Sequence, residues 1–128
     1  MAFIPDFRLV HIGINCADDA EAQNCMHQFA QLFGLLPNPE RQCEFSGYTG
    51  TQIEWMKHGG RGTHGHLALE TADLPAARQY LEAKGFAFDD SSALYTPDGR
   101  MMVIYAKQEI AGFAIHLVQR GDLAPADN

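Results

Sequence analysis

The sequence predicts an α+β fold made of two consecutive βαβββ modules whose uncovered sheet faces line a concavity. Three observations predict it. A strand-then-helix pattern near the N-terminus recurs after residue 64, each copy is followed by short alternating segments, and a glycine-rich bridge, HGGRGTH, separates the copies. A chain of 128 residues suits a single domain, with module one at about 8–58, module two at about 64–120 and a polar tail at 121–128.

In LVHIGINC, Val10, Ile12 and Ile14 alternate with His11, Gly13 and Asn15, the pattern of a strand with one dry face. Asp18 with Glu21 makes a capping-box-like helix start, Ala22, Met26, Phe29 and Phe33 recur at helical spacing, and Gly34 supplies the stop. After the turn-rich LPNPE, the run RQCEFSGYTGTQIEWMK reads as two or three short strands, with Ile53 and Trp55 opposite Gln52, Glu54 and Met56.

The second copy opens with GHLALET, where His66, Ala68 and Glu70 share one face and Leu67 and Leu69 the other. Asp73 is the N-cap of a helix that tolerates Pro75 in its first turn, buries Ala77, Tyr80 and Leu81, and closes at Gly85. FAFDDSS, the MMVIYAK run after Pro97-Asp98-Gly99, and FAIHLVQR complete the set. One-sided sheets need covering, so the helices are expected on the Val10 and Leu67 faces, leaving the opposite faces for the concavity.

Composition narrows the function classes. An apolar fraction of 46% with 20% charged residues fits a globular chain, and no apolar run approaches a membrane span. Cys16, Cys25 and Cys43 form no CxxC spacing, which suits reduced thiols, and the N-terminus shows no basic flank before a long apolar run, so a cytoplasmic protein is expected. A net charge of -7 with scattered Lys and Arg argues against nucleic acid and for a small-molecule partner.

The repeat relates four titratable residues. His11 and His66 open the first strands of the two modules, while Glu54 and His116 lie in the last strands, and the parity of each points to the concave side. Three imidazoles and one carboxylate on a shared face form a ligand set for a divalent metal, Zn, Ni, Co, Fe or Mn, with positions left for water or substrate. Buried without partners, the same groups would be costly.

These four positions, in order, resemble the pattern of the vicinal-oxygen-chelate superfamily, which includes glyoxalase I, extradiol dioxygenases, methylmalonyl-CoA epimerase and bleomycin-resistance proteins. Its first-strand His or Gln matches His11, its fourth-strand Glu matches Glu54, its fifth-strand His matches His66, and its eighth-strand Glu falls at His116. The resemblance implies a U-shaped mixed sheet around a metal cavity. HIGIN and GFAIHLVQ are also similar to a glyoxalase-like domain associated with 2-keto-3-deoxy-6-phosphogluconate aldolases, although no aldolase barrel is present.

The resemblance implies a metal-dependent isomerase or lyase. Its ion, held by His11, Glu54, His66 and His116, would take two adjacent oxygens of a 2-oxo or 2-hydroxy compound and stabilise an enediolate, with Glu54 or His116 carrying the proton. His116 in place of a carboxylate argues against glutathione-dependent glyoxalase I and dioxygenase chemistry. The alternative is a non-catalytic binding protein of the bleomycin-resistance kind, or an accessory domain of sugar-acid aldolase metabolism. Open sheet edges suggest a homodimer. Arg61, Arg100, Lys57 and Lys107 are further candidates for meeting a substrate anion, and Asn15 shares the face of His11.

Overall fold

The computed structural model describes residues 4–121; the expected tail beyond residue 121 lies outside them. Its elements run β1 (Arg8–Asn15), α1 (Asp19–Phe33), β2 (Pro37–Gln42), β3 (Ser46–Thr49), β4 (Ile53–Met56), β5 (Gly65–Thr71), α2 (Leu74–Glu82), β6 (Phe88–Tyr95), β7 (Met101–Ile110) and β8 (Phe113–Gln119). Strand, helix and three strands thus occur twice. One mixed eight-stranded sheet results, in the order β2-β3-β4-β1-β5-β8-β7-β6. Its centre is the antiparallel pair β1 and β5, each flanked by a parallel partner, β4 and β8.

The helix ends follow the sequence chemistry. Asp18 Oδ1 accepts from Glu21 N at 2.8 Å, Glu21 Oε1 accepts from Ala17 N at 2.8 Å, and Gly34 takes φ 70 to close α1. Asp73 caps α2 through Ala76 N at 3.1 Å. One face of α1 buries Ala22 and Met26 against Cys16 and Trp55, with Phe29 meeting the Trp55 ring at 5.2 Å. On α2, Leu74 joins Phe88, Ile104, Ala106, Ile115 and Leu117, with Leu67, Leu69 and Leu81 packed against them. Full burial of each large aliphatic side chain contributes roughly 1.5–3 kcal/mol, so these two clusters hold the helices to one side of the sheet.

Three local expectations change. Val10 packs with Ala68, Val103 and Val118 on the other side of the sheet rather than under a helix. The cause is a register shift between Leu9 and His11 in the pairing with β5, which puts an extra residue into β1. The LPNPE stretch belongs largely to β2, an edge strand paired only with β3, where Pro37 and Pro39 need not donate to a second neighbour. Phe33, expected on the buried stripe of α1, is exposed, resting against Phe29 at 5.3 Å.

The sheet curls. Ser46 on β3 and Tyr105 on β7 stand five strand spacings apart, roughly 24 Å in a flat sheet, yet both line one cavity of about 200 Å³. Curvature brings the two halves of the sheet face to face.

Candidate metal centre

Two rows of paired residues cross the concave face. One runs Tyr48, Glu54, Gly13, His66 over β3, β4, β1 and β5. The other runs His11, Ala68, His116, Tyr105 over β1, β5, β8 and β7. Each row places a small residue between two large polar ones, which is what leaves room for the rings. Gly13 is the tightest case: a Cβ there would stand 2.0 Å from His66 Cε1. The glycine of HIGIN is therefore required by the imidazole laid across it.

His11, Glu54, His66 and His116 are all buried, none more than 7% exposed. His11 Nε2 and His66 Nε2 approach to 3.1 Å, and Glu54 Oε1 lies 3.4 Å from the first and 3.1 Å from the second. The three histidines each offer a ring nitrogen within 4.8 Å of the others. The second carboxylate oxygen, Glu54 Oε2, accepts from Ser46 Oγ at 2.7 Å. Burial pushes the Glu54 carboxyl up, but hydrogen bonds with His11, His66 and Ser46 outweigh it and hold the acid well below the ordinary carboxylate range.

His116 is the unusual member. Among the described residues neither of its ring nitrogens has a hydrogen-bond partner, and His66 Nδ1 has none either. Burial, with the His66 and His11 rings beside it, lowers the His116 pKa to about 3, so the ring is neutral and keeps a lone pair. Tyr105 lies flat on it, ring centroids 4.2 Å apart and planes 2° from parallel. Burial and the Glu54 charge push the Tyr105 phenol up to about 12, so it stays protonated.

This donor set fits a divalent cation. Neutral imidazole nitrogens and a carboxylate are suitable ligands, and bonds of about 2.0–2.2 Å place neighbouring ligand atoms about 3.0–3.4 Å apart. The separations among His11, His66 and Glu54 lie in that range. An orphaned imidazole beside them offers a further ligand, and its burial is otherwise an unrepaid cost.

All four residues singled out by parity thus come together, and others do not. His64 turns to Phe113, at 6.0 Å, and to Gly112. His27 and His58 are exposed. Asn15 tethers the glycine-rich bridge, donating to Gly62 O at 3.0 Å. Arg61 lies over the Tyr105 ring at 4.7 Å and pairs with Asp89 at 3.4 Å. Lys57 and Arg100 pair with Asp19 and Asp98, and Lys107 is exposed. Ser46, Tyr105, Cys43, Phe45 and Met56, none of which stands out as a site residue in the sequence, complete the cavity with Glu54, His66 and His116. Tyr105 was within reach, since alternation in MMVIYAK sets it opposite Ile104; Ser46 carries no such signal.

The architecture is the glyoxalase-like α+β fold, and solved structures of this fold match the chain. A hypothetical protein of Bacillus halodurans C-125 superposes with a TM-score of 0.61 at 15% identity, over 94% of this chain and 99% of that one. Methylmalonyl-CoA epimerase of Mycobacterium tuberculosis gives 0.57 at 18% identity, over 88% and 87%. A methylmalonyl-CoA epimerase in complex with methylmalonyl-CoA and ammonium gives 0.58 at 17%, over 92% and 98%. These epimerases are members of the vicinal-oxygen-chelate superfamily. No family model matches the sequence, and no curated protein does. Among the described residues no helix is long and apolar enough to cross a membrane.

Proposed function

We propose that this chain is a metal-dependent enzyme of the glyoxalase-like class, an isomerase or lyase that moves a proton next to the carbonyl of a small 2-oxo or 2-hydroxy compound. The observation that carries the reading is His116, a buried neutral imidazole whose nitrogens have no hydrogen-bond partner among the described residues, lining a small cavity with His66 and the ionised Glu54 and with a ring nitrogen within 4.8 Å of those of His11 and His66. His11, Glu54, His66 and His116 are the proposed ligands. A divalent cation bound there would supply Lewis acidity, drawing charge from two adjacent substrate oxygens and making the neighbouring C–H more acidic.

The residues divide the remaining work. Glu54 is the proton carrier: one oxygen faces the histidines and the other is fixed by Ser46, so the carboxylate is aimed rather than free to rotate. Tyr105 holds the plane of His116. Phe45 and Met56 contribute apolar wall, which thins the water around a developing negative charge. The fold shared with epimerases supports the isomerase side of the proposal. A cavity of about 200 Å³ supports a small reacting unit.

The test is turnover of 2-oxoaldehydes and short sugar acids by protein loaded in turn with Zn, Ni, Co, Fe and Mn. The reading requires activity that Glu54→Gln abolishes while the variant keeps its fold. Saturable binding of these compounds without turnover under any metal would replace it with the binding-protein alternative.

A further inference from the structure

A second cavity, of about 390 Å³, lies on the helix side of the sheet, behind the strands that carry His66 and His116. Side chains alternate across a strand, so Leu69, Ile115 and Leu117 turn away from the metal ligands of β5 and β8 and join the core under α2. The buried Ile115 and Leu117 back the cavity, the half-buried Leu69, Leu81 and Phe86 wall it, and Phe7 and Ile110, 36% and 56% exposed, stand at its mouth. These walls are held in place. Phe7 lies between two ion pairs, Asp6 with Arg120 at 2.6 Å and Arg8 with Glu70. Phe86 N donates to Leu81 O at 3.0 Å, and the Phe86 ring meets Phe88 edge-on at 5.7 Å. The volume is that of a small-ligand site.

One lining residue carries a charge. Lys84 is exposed just beyond the end of α2, its N–H donating to Leu81 O at 3.0 Å and its ammonium 5.0 Å from the centroid of the Tyr80 ring. Arg8, Lys57, Arg61, Arg78, Arg100 and Arg120 each pair with a carboxylate, whereas Lys84 has no such partner among the described residues. The carbonyl end of a helix favours a cation, which accounts for the charge but not for the apolar cavity beside it. A lone cation at the rim of an apolar cavity is complementary to a molecule with an apolar chain and one negative end.

We infer that this cavity binds a medium-chain fatty acid, its alkyl chain against Leu69, Leu81 and Phe86 and its carboxylate on Lys84 Nζ. The carboxylate stays at the solvent boundary, where neither charge is buried, while the chain leaves water. The site is separate from the metal centre and independent of the proposed reaction.

The experiment titrates the full, metal-free chain with hexanoate, octanoate and decanoate by calorimetry. Saturable one-to-one binding is expected, tightening roughly fourfold per added methylene until the cavity is filled. Methyl resonances of Leu69, Leu81 and Ile110 should shift along the same saturation curve. Lys84→Glu should weaken decanoate by about tenfold or more, while decanol, which carries no charge, binds the unmodified protein and the variant alike. Lys107→Glu, the same charge change at another exposed lysine, should leave decanoate binding near the unmodified value. Failure to saturate at millimolar decanoate, an affinity that does not change along the series, or equal weakening by both charge reversals overturns the inference. So does a dimer in sedimentation that Ile110→Glu breaks and decanoate leaves intact, since the mouth then belongs to a second copy of the chain.

Discussion

Tyr105 and His116 stack with their ring centroids 4.2 Å apart and their planes within 2° of parallel. They are direct partners across β7 and β8, so strand register alone puts the two rings side by side. Among the described residues neither nitrogen has a hydrogen-bond partner, so ring contacts orient the imidazole, and this stack is closer than the edge contacts with His66 at 5.9 Å and His11 at 6.4 Å. Tyr105→Ala should therefore weaken binding of a divalent metal by roughly 10–100-fold, the range for removing an orienting group behind a ligand. Tyr105→Phe keeps the stack and should stay near the unmodified value. Competition against a chromophoric chelator measures both.

Gly13→Ala tests the crowding over β1. The added methyl falls on the His66 ring, with its carbon 2.0 Å from Cε1. The ring must swing away or the strands must part, and overpacking of this kind costs about 1–3 kcal/mol. Chemical denaturation of the metal-free protein should show that loss, accompanied by weaker metal binding. An unchanged midpoint with unchanged metal affinity would mean that His66 does not lie across Gly13.

Ser46→Ala removes the donor to Glu54 Oε2 while leaving the backbone turn in place. A buried acceptor stripped of its partner costs about 1–3 kcal/mol, so the variant should be less stable at neutral pH. Because the Ser46 hydrogen bond is one of those that lower the Glu54 pKa, the carboxyl should also titrate at higher pH than in the unmodified protein. Denaturation together with carboxyl carbon NMR reads both effects.

Stability of the metal-free protein should fall with acid in a defined window. In the unfolded chain the His116 imidazole takes up its proton near 6.5, whereas burial delays protonation in the fold to about 3. Between those values the unfolded state binds more protons, so stability is complete above the upper limit and drops by about 1.4 kcal/mol per pH unit below it. Glu54, held low in the fold, adds to the loss once pH passes below the ordinary carboxyl value of 4.5. His116→Gln should flatten the upper part of this profile.

How much of this was legible in the sequence depended on the kind of signal. Strands β1, β5 and β8 alternate cleanly, so the facing of His11, His66 and His116 followed from parity, and the repeat related them to Glu54. Val10 was misplaced because a register shift leaves no mark in composition: the residues around it alternate as well with the extra residue as without it. Pro37 and Pro39 disguised β2, since proline signals a turn unless the strand is known to be an edge. Ser46 meets Glu54 across the neighbouring strands β3 and β4, but Ser46 and Cys43 share a cavity with His116 and Tyr105 only because the sheet curls, a property of the assembled strands rather than of any segment.

His11, Glu54, His66 and His116 are the proposed ligands of one divalent cation. Elemental analysis of protein purified without chelator, repeated after loading with Zn, Ni, Co, Fe or Mn and desalting, tests this most directly. One metal ion per chain is expected, with His66→Ala and His116→Ala falling to background while circular dichroism shows the fold retained. Background levels in the unmodified protein with every metal offered, or full occupancy in both alanine variants, would contradict it.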